Sequence, residues 1–389
     1  MPFIIKLSEV LSKILQFIEK RESMIKKEQY YKHLNTIVSQ PLIELNEEQI
    51  DFLLQEMIFL LPSSGKLYKY RNFTDENNHF ENTMKALKNG YIWLASSNSM
   101  NDKIDTTLNL SYEYEAKCIK KTLLENKDAF LKRILKDLFE KYGLPYSLSD
   151  EEFNEFISCY TKEGRVIKSK VKQILAKAGY KSSQIEKNIN ILAQMIEMNS
   201  VKYPEKIEEI SKKFINTNKD IQHLVKIYCM SERYDTESMW AYYGNDNKGF
   251  CIEYDFNKVL NLSLDNKRIL LNLFKIEYSS KKEKFSFSKI LKAIILDEPI
   301  EEKNRINMAV MKQLLTKNRD WDHEREWRIV VSTEANEFKV DLVSAIIVDR
   351  DMVETEKGKR LINLAREKGW KIYIRKLSEL GTSFEYNLL

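Results

Sequence analysis

The sequence predicts an α+β protein: a mixed, mostly antiparallel sheet core, preceded by helices and interrupted by a large helical insertion. Three observations carry this expectation. Short runs of β-branched and aromatic residues recur between turn signals, at 66–71, 91–95, 224–231, 250–254, 274–278, 345–348 and 371–374. Residues 1–62 instead show apolar positions at three- and four-residue steps. From about 113 to 222 the chain is charged and helical in pattern, with almost no strand signal. The expected organisation is therefore a helical region over 1–62 and an α+β core over 63–389, interrupted by an insertion at 113–222.

In the first region Ile4, Leu7, Val10, Leu11, Ile14, Leu15 and Ile18 form one apolar stripe. Asn46 is placed to cap a second helix carrying Ile50, Leu53, Leu54, Met57 and Leu61, stopped by Pro62. Such helices suit a structural appendage or an oligomer face. Lys66–Arg71 alternates as a strand, 80–88 reads as a helix closed by Gly90, and 91–95 reads as a second strand. Ser96-Ser97-Asn98-Ser99-Met100-Asn101-Asp102 is a polar turn. In the insertion, Lys168–Lys177 and Lys181 form a basic stretch. It suits either the solvated face of a helix or contact with nucleic acid. Beyond it come a helix through Tyr243, an Asn/Asp/Gly turn and a strand from Phe250. A helix at 302–317, a strand at 345–348, a helix at 354–368 and a strand at 371–374 follow.

Composition narrows the classes. The chain has 389 residues, 43% of them hydrophobic, with 20 Tyr and 18 Phe, which suits a folded aromatic-rich core rather than disorder. A net charge of +5, from 63 basic and 58 acidic residues, does not declare a nucleic-acid binder. The four cysteines, Cys118, Cys159, Cys229 and Cys251, lie far apart, which disfavours a zinc site or a disulfide framework. No run approaches the ~20 apolar residues of a membrane helix, and no signal-peptide pattern opens the chain. The expectation is a cytoplasmic protein with no membrane partner and no metal.

The stretch Trp321-Asp322-His323-Glu324-Arg325-Glu326-Trp327-Arg328-Ile329-Val330-Val331 concentrates the chemistry. Read as a strand, it sets Glu324, Glu326 and Arg328 on one face and Arg325, Trp327, Ile329 and Val331 on the other. That polar face suits a structural ion-pair ladder or the wall of an active site. His79, His223 and His323 are scattered, and only His323 neighbours the carboxylates.

Four motifs together resemble the bacterial family catalogued as domain of unknown function 2971: Leu67-Tyr68-Lys69-Tyr70-Arg71, Asn101-Asp102, Trp240-Ala241-Tyr242-Tyr243-Gly244 with Lys248-Gly249-Phe250-Cys251-Ile252, and Glu324-Arg325-Glu326-Trp327-Arg328. The resemblance covers roughly 65–115 and 224–376. Lys103 stands where many members carry proline after the Asn-Asp pair. The core layout also resembles, more faintly, the ADP-ribosyltransferase superfamily. There a first strand ends in a basic residue, a hydroxyl follows later, and a late strand carries two acidic residues one apart. Arg71 would be the basic residue, Ser231 (or, less well placed, Ser96 or Ser97) the hydroxyl, and Glu324-Arg325-Glu326 the acidic element. No Ser-Thr-Ser run is present.

That resemblance implies NAD as substrate. Arg71 would hold the pyrophosphate through its fork, and Tyr70, Asn101, Asp102, Ser231 and Arg328 are further candidates for binding the cofactor. Trp240 or Tyr243 would stack on a flat ring. Glu326 would stabilise the oxocarbenium character that develops as the nicotinamide–ribose bond breaks, and Glu324 would orient or deprotonate an acceptor. Arg71, Glu326 and Trp240 or Tyr243 are then expected to face one cleft. Three function classes follow. The first is ADP-ribose transfer to a protein or nucleic acid, or NAD hydrolysis, by an effector or toxin or in defence against phage. The second is a non-catalytic sensor binding a partner or nucleic acid. The third is a nuclease with Asp102, Glu324 and Glu326 around Mg²⁺.

Overall fold

The computed structural model describes residues 25–96, 105, 111–141, 148–162, 165–199, 207–209, 211–212 and 225–389. The apolar stripe at Ile4–Ile18, and Ser97, Asn101, Asp102, Lys103 and His223, lie outside the described residues. The chain divides into two compact units. One comprises 1–108, 222–283 and 307–389; the other comprises 109–221 and 284–306.

The first unit is built on a mixed sheet, open and mostly antiparallel. Its strands are β1 (Lys66–Arg71), β3 (Ala95–Ser96), β4 (Val225–Ser231), β5 (Phe250–Asp255), β6 (Leu273–Lys275), β9 (Glu326–Ser332), β11 (Val343–Asp349), β12 (Lys371–Leu377) and β13 (Phe384–Leu388). Their order is β13-β12-β11-β5-β1-β4-β9-β6, with β3 paired to β4. Within this sheet β11 and β12 run parallel, joined by the helix Glu356–Glu367. Two further pairs stand apart: β2 (Tyr91–Trp93) with β10 (Glu337–Lys339), and β7 (Glu277–Ser279) with β8 (Thr316–Asn318).

Alternation along the strands gives the sheet two different faces. One carries Leu67, Tyr228, Met230, Phe250, Ile252, Tyr254, Trp327 and Ile329 into the main core. That core also takes Leu34 and Ile37 from the helix at 25–39, and Ile50, Leu53, Leu54 and Met57 from the helix Glu47–Leu60. Asn46 caps the latter as expected, in a reciprocal box with Gln49. These helices therefore belong to the same unit as the sheet. The opposite face carries a smaller cluster of Tyr68, Tyr70, Met239, Trp240, Cys251 and Ile347.

One irregularity opens the sheet. β1 and β4 pair at a single position, Tyr68↔Ser231, whereas β1 pairs with β5 over its whole length. Farther along β4 its neighbour is β3, through Ala95↔Ile227 and Ser96↔Lys226. β1 and β4 thus part company beside Lys69, Arg71, Tyr228 and Cys229.

The second unit is helical: Tyr112–Glu125, Lys127–Lys141, Asp150–Ile157, Lys168–Lys177, Ser182–Asn199 and Phe287–Ile295. Ile119, Leu123, Leu131, Leu135, Phe153, Phe156, Val171 and Leu175 are buried within it. The basic helix Lys168–Lys177 turns Val171, Ile174 and Leu175 inward. Lys168, Lys170, Lys177 and Lys181 are exposed. Lys172 pairs with Glu186, and Lys168 donates to Asn190.

Three differences from the sequence reading have local causes. The run at 274–278 is two strands, because the Ile276 amide bonds the Glu326 carbonyl and ends one pairing before the next begins. β10 and β13 were not anticipated; Phe338 and Phe384 alternate only with polar neighbours, as edge strands do. Glu324 is not in a strand. It ends the 3-10 helix Arg319–Glu324, and Arg325 at φ 47° turns the chain into β9 at Glu326.

The turn after the helix Glu237–Tyr243 explains the glycines of its motif. Asn245, Asp246 and Asn247 all adopt left-handed backbone, and the turn folds against the end of β1. A Cβ on Gly249 would lie 2.4 Å from the Arg71 carbonyl oxygen and 2.6 Å from Gly244 Cα. Both obstacles are backbone, so neither can swing aside. Gly249→Ala is expected to cost roughly 1–3 kcal/mol of stability, read as a lower midpoint in urea denaturation with an unchanged slope. An unaltered midpoint would mean that the turn is not held against β1.

Candidate functional site

Glu324, Glu326 and Arg328 do converge, although one arrives on a turn and two on a strand. All three are buried, together with Lys317 of β8 and Asp105. Arg328 is fully buried and uses all five of its N–H groups. Nε donates to Glu326 Oε1 (2.6 Å), and Nη2 donates to Glu326 Oε2 (3.0 Å) and Asp105 Oδ2 (2.5 Å). Nη1 donates to Asp105 Oδ1 (3.0 Å) and to the Leu314 carbonyl (2.9 Å). Lys317 Nζ bridges Glu324 Oε2 (2.5 Å) and Glu326 Oε2 (3.0 Å) and stands 3.6 Å from Asp105. Tyr243 Oη donates to the other oxygen of Glu324, at 2.8 Å.

Three carboxylates therefore face two cations, and their environments separate two of them. Burial would raise the Glu326 carboxyl, but the charge and hydrogen bonds of Arg328, then Lys317 and the Cys229 thiol, hold it well below the ordinary range. At Glu324 burial prevails, reinforced by the neighbouring Glu326, and the carboxyl is pushed up despite Lys317 and Tyr243. Glu326 is the committed anion and Glu324 the carboxyl able to exchange a proton. Such a divergence within a pair is how acid and base roles become separable.

The remaining sequence-predicted residues fall elsewhere. Ser231 is buried and donates to the Glu324 carbonyl at 2.7 Å, holding the turn rather than facing a cavity. Tyr70 is buried on the Tyr68 side of β1 and donates to the Arg233 carbonyl. Trp240 is fully buried. Its indole N–H goes to the Tyr234 carbonyl, and the Arg375 guanidinium covers its ring at 4.6 Å. The ring expected to receive a ligand is thus already stacked. One exposed ring lies nearby instead, Tyr242, beside the half-buried Trp321 and His323, with ring centroids 6.0–6.4 Å apart. Tyr242 is 68% exposed. Lys317 Nζ sits 5.2 Å from the Trp321 ring, linking this group to the carboxylates.

The expected single cleft holding Arg71 beside Glu326 is not formed by direct contact. The register Tyr68↔Ser231↔Glu326 places Glu326 on the Tyr68 side, while alternation along β1 sends Lys69 and Arg71 to the other. Arg71 instead neighbours the Tyr228 hydroxyl, whose ionisation its charge favours, and which lies 2.7 Å from that of Tyr254. Lys69 Nζ stands 4.9 Å from the Tyr228 ring centroid. Both cations are half-buried at the parting of β1 and β4, and neither has a carboxylate within salt-bridge distance among the described residues. Arg71 Nε is buried without a hydrogen-bond partner. Cys229 lies on the strand between the two regions, opposite Arg328 in the register, and Lys69 feels the charges of Glu326 and Glu324.

Sequence reasoning missed Lys317, Asp105 and Lys69. Lys69 had a usable signal, because it sits two residues before Arg71 on a strand. Lys317 and Asp105 had none, since Asp105 lies 223 residues from Arg328.

Fold and site together define an α+β protein whose sheet parts beside two cations that no carboxylate pairs among the described residues, with an ion cluster on the other side of β4. Residues 239–329 match the model of the family described as protein of unknown function (DUF2971). The match takes in Trp240–Gly244, Lys248–Ile252 and Glu324–Arg328, three of the stretches that carried the resemblance. No curated protein and no solved structure matches the chain.

The cluster makes a prediction. Glu326→Gln leaves Arg328 and Lys317 undercompensated and is expected to cost roughly 3–5 kcal/mol, whereas Glu324→Gln keeps the shape and costs far less. Their pH dependences run oppositely. The Glu326 carboxyl is depressed on folding, so its contribution is full above its unfolded value and is lost as pH falls. Glu324 is raised, so its contribution is present below its unfolded value and is lost as pH rises through the folded one. Thermal melts across pH should show Glu324→Gln gaining on wild type as pH rises above the ordinary glutamate range, about 4.3. Equal costs for the two variants at neutral pH would contradict the assignment.

Proposed function

We propose that the chain binds a phosphate-bearing nucleotide at Lys69 and Arg71 and acts on NAD, transferring ADP-ribose to a protein or nucleic-acid acceptor or hydrolysing the dinucleotide. The observation that carries this reading is the half-buried cation pair without a described carboxylate partner, one of whose N–H groups is buried and unpaired. An unpaired buried donor costs about 1–3 kcal/mol. A phosphate oxygen satisfies it, and a guanidinium fork beside an ammonium suits a pyrophosphate.

The remaining parts fit an ADP-ribosyltransferase-like arrangement with its roles redistributed. Tyr242 and Trp321 are the rings available to a flat base, in place of Trp240. Glu326, committed to Arg328 and Lys317, is a positioning residue. Glu324, on the exchangeable side of the pair, takes the proton of the attacking water or acceptor as nicotinamide leaves with the bonding electrons. A defence or toxin role follows from such an activity only through its acceptor.

A sensor reading is favoured by one fact: the carboxylates are already neutralised inside the protein. The two readings separate cleanly. Incubated with labelled NAD, with and without cell extract or nucleic acid, the wild type is expected to release nicotinamide or transfer label. Arg71→Gln should weaken NAD binding roughly tenfold or more, the worth of a charged hydrogen bond, as read by calorimetry. Binding without turnover supports the sensor. No binding of NAD or ADP-ribose by folded wild type sinks the NAD reading and leaves a sensor of a partner or nucleic acid.

A further inference from the structure

We propose that Lys69 is a reactive amine that condenses with phosphate-bearing aldehydes, Arg71 holding the phosphate while the Lys69 nitrogen forms an imine. This rests on the reading that the pair receives a phosphate, and it adds a covalent activity to it. Lys69 and Arg71 stand two residues apart on one side of β1. A single small ligand can therefore span both.

Three other buried or half-buried lysines of this unit are committed to carboxylates. Lys66 Nζ lies 2.7 Å from Glu253, Lys267 is held by Glu47 and Asp51, and Lys317 is held by Glu324 and Glu326. Lys69, with no carboxylate in salt-bridge distance among the described residues, meets the Tyr228 ring and a neighbouring guanidinium that repels its proton. Burial first, then the Arg71 charge, pull the Lys69 ammonium down to about 8. The free amine is thus present near neutrality, the condition for a nucleophilic lysine.

The chemistry balances without an added oxidant or reductant. The lone pair of neutral Nζ adds to the carbonyl carbon, and the carbonyl oxygen takes up a proton to give a carbinolamine. Loss of that oxygen as water, with the nitrogen's proton, leaves the C=N bond. The open-chain form of ADP-ribose, which NAD hydrolysis would release, belongs to this chemical class.

The test uses the full chain with substoichiometric pyridoxal 5′-phosphate near pH 8, followed by borohydride reduction and peptide mapping. Lys69 should carry most of the label, above the exposed Lys168 and Lys170. Inorganic pyrophosphate should protect it. Arg71→Gln should cut its labelling by pyridoxal 5′-phosphate roughly tenfold, and by more than it cuts labelling by phosphate-free pyridoxal, which loses only the effect of the Arg71 charge on the amine. Lys69→Arg should lose the modification, since a guanidinium forms no imine under these conditions. Labelling of Lys69 no greater than of Lys168, or unaffected by pyrophosphate, overturns the inference, and the pyrophosphate arm holds even if the Arg71 variant fails to fold. Wild type that labels at Lys69 but binds no ADP-ribose would instead overturn the nucleotide reading and spare the reactive amine.

Discussion

The Arg328 guanidinium is the constraint on which the sheet depends. It is fully buried in β9, and every N–H has an acceptor, four bonds to the Glu326 and Asp105 carboxylates and one to the Leu314 carbonyl. A buried guanidinium is tolerable only under such complete compensation. Its demand fixes where β9, the segment at Asp105 and the end of the helix Ile300–Leu315 must lie. Lys317 then balances the carboxylates that Arg328 has gathered. The arrangement specifies geometry more than it adds stability, as buried ion clusters do when they fix one packing among several.

That commitment changes how charge is distributed around the site. On the cluster side of β4, cations and carboxylates consume one another, leaving Glu324 as the group whose proton is free to move. On the other side, where β1 leaves β4, Lys69 and Arg71 meet the Tyr228 ring and hydroxyl, with no salt-bridged carboxylate among the described residues. The field there is positive and half-shielded from water, which strengthens it for an incoming anion. Cys229 stands between, a neutral thiol that burial pushes up to about 12. Anion capture and proton exchange are thus separated across one strand.

Much of the frame was readable from the sequence, for local reasons. Asn46 and Gly90 announced a helix start and stop through backbone needs that short polar side chains and glycine meet. β4, β5, β11 and β12 announced themselves by dense apolar runs. The candidate site was half legible. The proximity of Glu324, Glu326 and Arg328 could be seen, but only strand alternation was available to explain it, and Arg325 in left-handed backbone does that work instead. The burial of Trp240 beneath Arg375 depends on a partner 135 positions away. The parting of β1 from β4 depends on which strands pair, a property of topology. Those are the facts that moved the stacking role from Trp240 to Tyr242 and Trp321, and that separated Arg71 from Glu326.

The central claim is that the cation pair at the parted strands receives a phosphate. A crystal structure of the chain soaked with ADP-ribose tests it most directly. The account predicts phosphate oxygens within hydrogen-bonding distance of Arg71 Nε and Lys69 Nζ, with Arg328 still closed on Glu326 and Asp105. A nucleotide bound elsewhere, with Arg71 Nε still unpaired, would contradict it.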